Sequence, residues 1–443
     1  MYFQLYKYIS RALGYNISKA KKYLLALEDL SSDDFWKVQI EKRNRIYQFH
    51  QEHSKWYQDF SNNISIDNWE NIPIVKKEDL QEYNKFNNRL GVDRLNDYVA
   101  STSGSSGHPF KFRKNKESHS LAWAKAGISY SQLGIEMGHK EARFIGHLRG
   151  AGAYRKKIYE KIKNLILNRH TFNIFDLSDN NMLVIYKYIE EGSFDYIYGY
   201  TEFLLSFSRF IISSGSPVLS EICPQLKGCI VTAEMCTEAD RKVLERGFGV
   251  SVFREYGASE VSIIAIEDKN LDWWVSADRL WVEIVNDEYE PVSEGESGKI
   301  VITDLYNRAF PFIRYEIGDI GAVKKSVNYP FLKLSKLSGR ISDTIVLPSG
   351  KKAPGLTFYY ISRSILEKGI NLKQFRIIQR RVDLFIFQIV TISNINSEIK
   401  TTMQKEAEKY LEAGIVIELQ IVEKIEAKYS NKIQHFFSEM EPG

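Results

Sequence analysis

The chain has 443 residues, enough for two or three domains with a full hydrophobic core. Hydrophobic residues make up 44% of it and aromatic residues 13%, which is typical of a globular protein and excludes an intrinsically disordered chain. Its 60 Lys and Arg residues against 56 Asp and Glu residues leave a net charge of +4, too small to indicate a nucleic-acid partner.

The cysteines and the hydropathy pattern predict a cytoplasmic protein without a transmembrane segment. Cys223, Cys229 and Cys236 are too few for a disulfide framework, which favours a reducing compartment. A three-thiolate metal site completed by an outside ligand is the alternative use of these thiols, and incidental buried thiols are favoured over it. No apolar run approaches the roughly 18 residues of a membrane span, and no signal-peptide pattern is present. The oligomeric state is open, with a homodimer as one candidate.

The N-terminal segment, residues 1–60, is predicted to be helical and amphipathic. Apolar residues such as Ile9 and Leu13 recur at helical spacing between Lys, Arg and Glu. We expect this segment to pack on the main domain; contact with a membrane or a partner is the alternative. Residues 72–75 then predict an extended piece that leads into a helix over 76–83.

A Ser/Gly-rich loop follows, and it is the most unusual stretch of the sequence. Small residues let backbone N–H groups approach an anion, and glycine permits the positive φ that turns them inward. Phe110 and Phe112 alternate with Lys111 and Arg113, which predicts a strand leaving the loop. The pattern suits a triphosphate-binding loop, but taken alone such a stretch is more often a Ser/Gly hairpin or a flexible linker, and it is not a Walker A motif. The candidate phosphate-binding residues are Thr102, Ser103, Gly104, Ser105, Ser106 and Gly107.

Short apolar runs alternate with helical runs from residue 117 to residue 254. This alternation predicts an α/β unit with a largely parallel sheet, in which ligands lie beyond the carboxyl ends of the strands. Glu234 and the segment 256–260 directly follow predicted strands. The predicted helices cover 117–133, 181–190, 202–213 and 237–248, and the predicted strands cover 143–147, 196–198, 228–232 and 250–254.

The pattern changes at Ser262 to strands joined by polar turns, which predicts a β-rich subdomain. Beyond Gly339 a smaller α+β pattern of about 100 residues suits a mobile C-terminal domain. We therefore expect a helical segment over 1–60, a main domain over 61–342 and a lid domain over 343–443. The predicted lid elements are helices over 356–367 and 397–411 and strands over 375–379, 384–392 and 415–422.

Two carboxylates stand out as candidate ligand-binding groups. Glu260 closes Tyr-Gly-Ala-Ser-Glu, where a carboxylate beside the hydroxyl of Ser259 suits Mg²⁺ held against phosphate oxygens. The alternative is a helix N-cap formed by Ser259. Asp319 follows Gly318 after an apolar run, a position from which a carboxylate can accept both ribose hydroxyls. The alternative is an ordinary turn aspartate.

Three further motifs complete the set of candidate site residues. Arg340, in Leu-Ser-Gly-Arg-Ile-Ser-Asp, has the planar fork that binds ribose or phosphate oxygens, or else forms a surface pair with a nearby aspartate. Asp343 lies where the composition changes, which suits a hinge. Lys428 and Lys432 occupy a polar segment near the end of the predicted lid, where a lysine either swings into a site or is simply solvated.

The order of these motifs resembles that of the adenylate-forming superfamily of acyl-CoA synthetases, peptide-synthetase adenylation domains and luciferases. The closer resemblance is to phenylacetate–CoA ligase-like proteins, including the CapK-like capsule-biosynthesis group and coenzyme F390 synthetases. Residues 309–315, Ala-Phe-Pro-Phe-Ile-Arg-Tyr, and residues 337–343 carry this closer resemblance. It extends over about residues 98–432 and implies a large ATP-binding domain with a small mobile C-terminal domain.

The resemblance also implies a role for each site residue. The Ser/Gly loop would grip the β- and γ-phosphates, and Glu260 would bind Mg²⁺. Asp319 would hold the ribose with help from Arg340, Asp343 would be the hinge, and Lys432 would be the adenylation lysine, with Lys428 as the alternative. Around the nucleotide, Tyr256 would stack on adenine beside Gly257, Ser259 would bond the α-phosphate, and Glu234 would lie close by.

By this resemblance the chain is an enzyme that activates a carboxylic acid with ATP as an acyl-adenylate and then transfers the acyl group. The acid would lie near residues 198–202 and 232–234, where a core role for Tyr198 and Tyr200 is an equal alternative. The stretch 347–355 departs from most CoA ligases, so the acceptor is CoA or, in a CapK-like enzyme of polysaccharide biosynthesis, a sugar or an amine. A non-catalytic nucleotide- or acyl-binding protein is the alternative of a different class.

Overall fold

The computed structural model describes residues 8–89, 97–101, 110–145, 161–172, 174, 178–326, 331–340, 344–350, 352–354, 372–391, 397–423, 425 and 436–440. The N-terminal region is helical, as predicted. Its helices begin where the sequence supplies a capping hydroxyl: Ser31 Oγ accepts from the backbone N–H of Asp34, and Ser54 Oγ accepts from that of Tyr57. They are α1 (Ile17–Glu28), α2 (Ser32–His53), α3 (Lys55–Phe60), a 3₁₀ helix (Ile66–Asn71) and α4 (Lys77–Arg89).

The apolar faces of the first helices are buried against the body of the protein. Leu24 of α1 and Phe35 of α2 share one hydrophobic cluster with Leu121 and Ile264, which lie far along the chain. Burial of side chains of this size contributes roughly 1.5–3 kcal/mol each to the hydrophobic stabilisation of the fold. The N-terminal segment therefore packs as the sequence suggested, while the predicted domain boundaries stay predictions.

The next elements form the parallel part of the molecule. Strands β1 (Tyr98–Ser101) and β2 (Lys111–Lys114) pair antiparallel on either side of the Ser/Gly loop and lead into helix α5 (Lys116–Gln132). Five parallel strands then alternate with helices, which confirms the predicted α/β unit. These elements are β3 (Glu141–Phe144), β4 (Arg169–Thr171), α6 (Asp179–Gly192), β5 (Tyr196–Tyr200), α7 (Thr201–Ser214), α8 (Leu219–Ile222), β6 (Gly228–Thr232), α9 (Glu238–Phe248) and β7 (Val252–Ala258).

The predicted β-rich region continues the same sheet instead of forming a separate one. In the described part of the chain the sheet has eleven strands in the order β10-β11-β12-β13-β9-β8-β7-β6-β5-β3-β4, and the strands from β8 onward pair antiparallel. These strands are β8 (Ser262–Glu267), β9 (Trp273–Val275), β10 (Leu280–Val285), β11 (Gly298–Asp304), β12 (Tyr315–Lys325) and β13 (Leu332–Arg340).

The C-terminal region has its own small sheet and core. A short hairpin precedes a sheet of order β18-β17-β16-β19, in which Ile377, Phe385 and Met403 are buried together. The predicted helix over 356–367 lies outside the described residues. The C-terminal elements are β14 (Thr344–Val346), β15 (Lys352–Pro354), β16 (Leu372–Arg381), β17 (Leu384–Thr391), α10 (Ser397–Tyr410), β18 (Val416–Ile421) and β19 (Phe436–Ser438).

Two predictions about strand ends are wrong. Strand β7 continues to Ala258, so Tyr256 and Gly257 lie inside it, because its antiparallel pairing with β8 extends the strand beyond the parallel region. Asp319 lies inside β12 and does not follow a strand end. Glu260 does follow a strand end, as predicted, but the turn around it joins two strands and starts no helix, which removes the N-cap alternative for Ser259.

Candidate active site

The candidate site begins at the tight turn between β7 and β8. Ala258 and Ser262 face each other across the hairpin, and the N–H of Val261 donates to the carbonyl of Ala258 at 3.2 Å. Glu260 lies within this turn and is 9% exposed. Its Oε1 lies 3.4 Å from the hydroxyl of Tyr315, which donates to it from the first residue of β12. The turn thus presents one carboxylate within hydrogen-bonding reach of a buried tyrosine hydroxyl.

A second tyrosine holds the second candidate carboxylate. The hydroxyl of Tyr256 donates to Asp319 Oδ2 at 2.7 Å, and both residues are 9% exposed. Three strands separate β7 from β12 in the sheet order, so the sheet bends to bring these two side chains together. As a result, the two carboxylates that the sequence singled out are tied to the same pair of strands.

Asp319 owes its position to an irregularity of β12. Between β11 and β12 the pairing passes from Lys299↔Ile320 to Val301↔Glu316, so β12 carries two more residues than β11 over this stretch. Gly318 has φ of +84°, which glycine adopts without steric cost. Such bulges re-aim side chains, and this one explains why the sequence around Asp319 is typical of a turn. The backbone of Arg340 lies directly opposite Asp319 on β13, and the predicted cooperation of the two residues stays a prediction.

The structure adds a residue that the sequence did not single out, Lys114. It is 2% exposed, and its Nζ donates to Ser262 Oγ at 2.8 Å. Burial, reinforced by the nearby Arg279, lowers the pKa of Lys114 to about 7, while Asp304 and Glu260 oppose the shift. The sequence does contain a signal for this burial. Side chains alternate between the two faces of a strand, so Lys114 shares the inward face of β2 with Phe112.

The predicted acid-binding tyrosine Tyr198 belongs to a buried polar cluster. Its hydroxyl donates to Glu255 Oε1 at 2.8 Å, and the hydroxyl of Tyr130 donates to Glu255 Oε2 at 2.6 Å. The guanidinium of Arg143 lies 4.7 Å from the ring centroid of Tyr198 and forms an ion pair with Glu141. Burial raises the pKa of Glu255, and the two tyrosine hydroxyls counteract the rise. The hydroxyl of Tyr198 is thus engaged inside the protein, as its predicted core role requires.

Glu234 lies at the N-terminus of helix α7. Its Oε2 accepts from the backbone N–H of Glu202 at 2.9 Å, and its carbonyl accepts from Thr201 Oγ1 at 3.1 Å. A carboxylate at a helix N-terminus is favoured by the orphan N–H groups and by the helix dipole. Ala233 has φ of +72°, so the chain turns sharply as β6 ends. The predicted part of Glu234 in nucleotide binding remains a prediction.

Several predicted site residues fall outside the described residues. Strands β1 and β2 fix the two ends of the Ser/Gly loop, where Ser101 pairs with Lys111. The residues that lie outside are the loop positions Thr102, Ser103, Gly104, Ser105, Ser106 and Gly107, the hinge candidate Asp343, and the lysines Lys428 and Lys432.

The three cysteines are buried and free. Burial raises the pKa of each thiol, most strongly that of Cys229, which disfavours the thiolate that metals bind. Over the residues that the structure describes, no three His, Cys, Asp or Glu side chains converge on a metal site. A search of the same residues also finds no helix with the length and apolar character needed to cross a membrane.

Comparison with known sequences links the chain to phenylacetate–coenzyme A ligases. No protein-family model matches it. The enzyme of Escherichia coli is 30% identical over 120 residues, which are 26% of this chain and 28% of that protein. The enzyme of Thermus thermophilus is 30% identical over 131 residues, 28% of this chain and 29% of that protein. The match spans less than a third of either relative. The resemblance to this branch is confirmed, while the CapK-like and coenzyme F390 synthetase-like groups stay predictions.

Solved structures extend the likeness to nearly the whole chain. A 2-hydroxyisobutyryl-CoA ligase in the postadenylation state, in complex with R3-HIB-AMP, matches with a TM-score of 0.73 at 16% identity over 94% of this chain and 92% of that one. The anthranilate CoA ligase AuaEII, in complex with anthranoyl-AMP, matches with a TM-score of 0.51 at 11% identity over 75% and 65%. At such identities the likeness shows the fold, and it confirms the predicted fold class.

Proposed function

We propose that this chain, which has the fold of the adenylate-forming CoA ligases, activates a carboxylic acid with ATP as an acyl-adenylate and transfers the acyl group to CoA. One observation carries the proposal: two reciprocal tyrosine–carboxylate contacts hold Glu260 and Asp319. Tyr256 of β7 holds Asp319 of β12, and Tyr315 of β12 holds Glu260 after β7. Two fixed carboxylates suit a ligand that brings both a metal-bound phosphate and a ribose.

Glu260 is the residue proposed to hold Mg²⁺. A single carboxylate oxygen donor fits this ion, which usually takes one or two protein carboxylates together with substrate phosphate oxygens and water. Mg²⁺ bound there would neutralise charge on the phosphates of ATP. The part of Tyr315 is to hold the carboxylate in place, since a ligand that is already oriented loses less entropy when the ion binds.

Asp319 and its neighbours are proposed to bind the nucleoside. Asp319 accepts the ribose hydroxyls, the fork of Arg340 assists, and the ring of Tyr256 stacks on adenine beside Gly257. The Tyr256–Asp319 hydrogen bond supports a shared role, because it couples the position of the ring to that of the carboxylate. Ser259, next to Glu260 in the turn, donates to the α-phosphate, and Glu234 borders the same edge of the sheet.

The reaction then needs positioning and charge neutralisation more than covalent chemistry by the protein. A carboxylate oxygen of the acid attacks the α-phosphorus of ATP, and the bond to pyrophosphate breaks. The Ser/Gly loop grips the departing β- and γ-phosphates. Lys432, or else Lys428, neutralises the negative charge that builds up between the acid and the α-phosphate. A rotation of the C-terminal domain about Asp343 brings this lysine into the site. The acyl group then passes to the thiol of CoA, and AMP leaves.

A sugar or an amine is the second candidate acceptor, as in a CapK-like enzyme of polysaccharide biosynthesis. The observation that favours it is the stretch 347–355, which departs from that of most CoA ligases. Ser349 in this stretch is tied to Glu412, which accepts from both the backbone N–H and the hydroxyl of the serine. The acyl-adenylate step is common to both candidates.

The test is ATP–pyrophosphate exchange with a panel of aromatic and small aliphatic acids, followed by thioester detection with and without CoA. Exchange that depends on one class of acid supports the proposal, and Glu260→Gln should abolish most of it. The matched control is Glu41→Gln, which removes an exposed carboxylate that pairs with Arg45 on α2. A folded protein that binds ATP but exchanges with no acid would indicate a non-catalytic nucleotide-binding protein.

A further inference from the structure

The turn that carries Glu260 is held by two buried basic side chains. Arg279 donates through Nη1 and Nη2 to the carbonyl of Val261, at 2.7 and 2.6 Å. Lys114 donates to the hydroxyl of Ser262 at 2.8 Å. Arg279 is 1% and Lys114 is 2% exposed. Val261 and Ser262, the two residues after Glu260, are thus each held by a basic side chain from a different part of the chain.

Burying these two basic groups reduces the stability of the folded state, which indicates that they serve a function other than stabilisation. Burying an ammonium group is unfavourable unless it is well paired, and here the described hydrogen-bond acceptor is a neutral hydroxyl, while Asp304 and Glu260 compensate only part of the effect of burial. The two cations also repel each other, since Arg279 contributes to lowering the pKa of Lys114. A methionine of similar length would fill the same space without either cost.

Ser262 needs an external restraint because its backbone is strained. Its φ is +63°, in the left-handed region that residues with a side chain rarely adopt. The restraint from Lys114 comes from strand β2, immediately after the Ser/Gly loop. Lys114 therefore connects β2, the strand that follows this loop in the sequence, to the turn proposed to hold Mg²⁺.

We propose that Lys114 is a positioning residue that fixes the Ala258–Ser262 turn through Ser262, so that Glu260 is presented in a geometry able to bind Mg²⁺ with ATP. The inference rests on the proposed function of Glu260. Lys114 acts through the turn and needs no contact with the substrate. Either protonation state of its amine donates to Ser262 Oγ, so the link does not depend on the charge.

The test measures Mg²⁺ dependence at equilibrium, on the full chain. MgCl₂ is titrated into the protein with α,β-methylene-ATP and followed by calorimetry, and the same variants are assayed for ATP–pyrophosphate exchange. Lys114→Met should raise the half-saturating Mg²⁺ concentration by about tenfold, the scale seen when a residue supporting a metal ligand is lost. Ser262→Ala should shift it in the same direction. Lys114→Gln, which keeps an N–H donor, should shift it less than Lys114→Met.

Lys125→Met is the matched control, because Lys125 is another buried lysine. Its Nζ lies 2.8 Å from Asp278 Oδ2 and 3.7 Å from Glu28 Oε1. Asp278 precedes Arg279 in the chain, but the described contacts of Lys125 include neither Val261 nor Ser262. This variant should lose stability and keep the wild-type Mg²⁺ dependence. Equal shifts in Lys114→Met and Lys125→Met would overturn the inference, as would tighter Mg²⁺ binding in both Lys114 variants, which would mean that charge repulsion dominates. Wild-type protein that binds no nucleotide at any Mg²⁺ concentration would instead overturn the proposed function.

Discussion

The hydroxyl of Tyr256 donates to Asp319 Oδ2 at 2.7 Å, across a sheet in which their two strands are not neighbours. The contact joins a residue in the parallel half of the sheet to one in the antiparallel half. It fixes the carboxylate proposed to bind ribose against the ring proposed to stack on adenine. Each partner should therefore affect nucleotide binding through the other.

We predict that Asp319→Ala weakens ATP binding by about 1.5–3 kcal/mol, the usual contribution of a hydrogen bond to a charged group. Tyr256→Phe keeps the stacking ring and loses only the hydroxyl that orients Asp319, so it should weaken binding by less. Calorimetry with ATP and with AMP measures both effects. Unchanged ATP affinity in Asp319→Ala would place the ribose partner elsewhere.

Lys432→Ala should slow adenylation by roughly a hundredfold or more and leave ATP affinity nearly intact. The reason is that a cation placed between acid and α-phosphate acts mainly in the transition state, where the loss of one electrostatic donor has this magnitude. Exchange assays and calorimetry on the same protein separate the two effects, and acyl transfer from pre-made acyl-adenylate should survive. A wild-type rate in Lys432→Ala together with a slow Lys428→Ala would identify Lys428 as the adenylation lysine.

Lys114→Met should make the protein more stable near neutral pH, although it impairs Mg²⁺ binding. Burial lowers the pKa of Lys114 from 10.5 to about 7, so between these pH values the unfolded chain binds a proton that the folded chain gives up. The free energy of unfolding of the wild type should therefore rise with pH across this window. Among the described residues, the charged or titratable groups that interact with Lys114 include Arg279, Asp304, Glu260 and His119.

The measurement is urea unfolding of wild type and Lys114→Met in EDTA, at about pH 6.5 and about pH 9.5. We expect the variant to be more stable by about 1–3 kcal/mol at the lower pH, with the difference shrinking at the higher pH as the wild type loses its penalty. Comparing the two proteins at each pH cancels the titration of groups they share. If the free energy of unfolding changed with pH equally in wild type and Lys114→Met, the lowered pKa of the Lys114 amine would be contradicted.

Arg314→Met should destabilise the fold by about 3 kcal/mol, because it removes the ion-pair partner of the largely buried Glu283 and leaves Arg43 as the remaining cation that acts on this carboxylate. Arg314 is 1% exposed, forms an ion pair with Glu283 at 3.3 Å and donates to the carbonyl of Ile72 at 2.7 Å. It thereby fastens the segment before α4 to the start of β12. Chemical unfolding should show that the double variant Arg314→Met with Glu283→Gln regains part of the lost free energy of unfolding. A double variant no more stable than Arg314→Met would mean that the contact with Ile72 dominates.

The sequence by itself determined the order of elements and the residue types of the site. Alternating apolar and helical runs specified parallel strands, because burial on both faces of a sheet selects such runs. Glu260 was correctly expected at a strand end, since apolar strands end where polar side chains reach the surface. These signals are local, because the periods of two residues in a strand and 3.6 residues in a helix can be recognised within a short stretch of sequence.

Only the tertiary structure decided which side chains meet. Lys114 lies 148 residues before Ser262, so nothing near it in the chain indicates that its amine is buried against the Glu260 turn. The sequence predicts that Asp319 follows a strand end because glycine is typical of a bulge and of a turn alike, and only the pairing between β11 and β12 distinguishes the two. The bend that joins Tyr256 to Asp319 results from the whole sheet. Strand pairing and burial depend on residues that are far apart in the chain, so no local sequence pattern determines them.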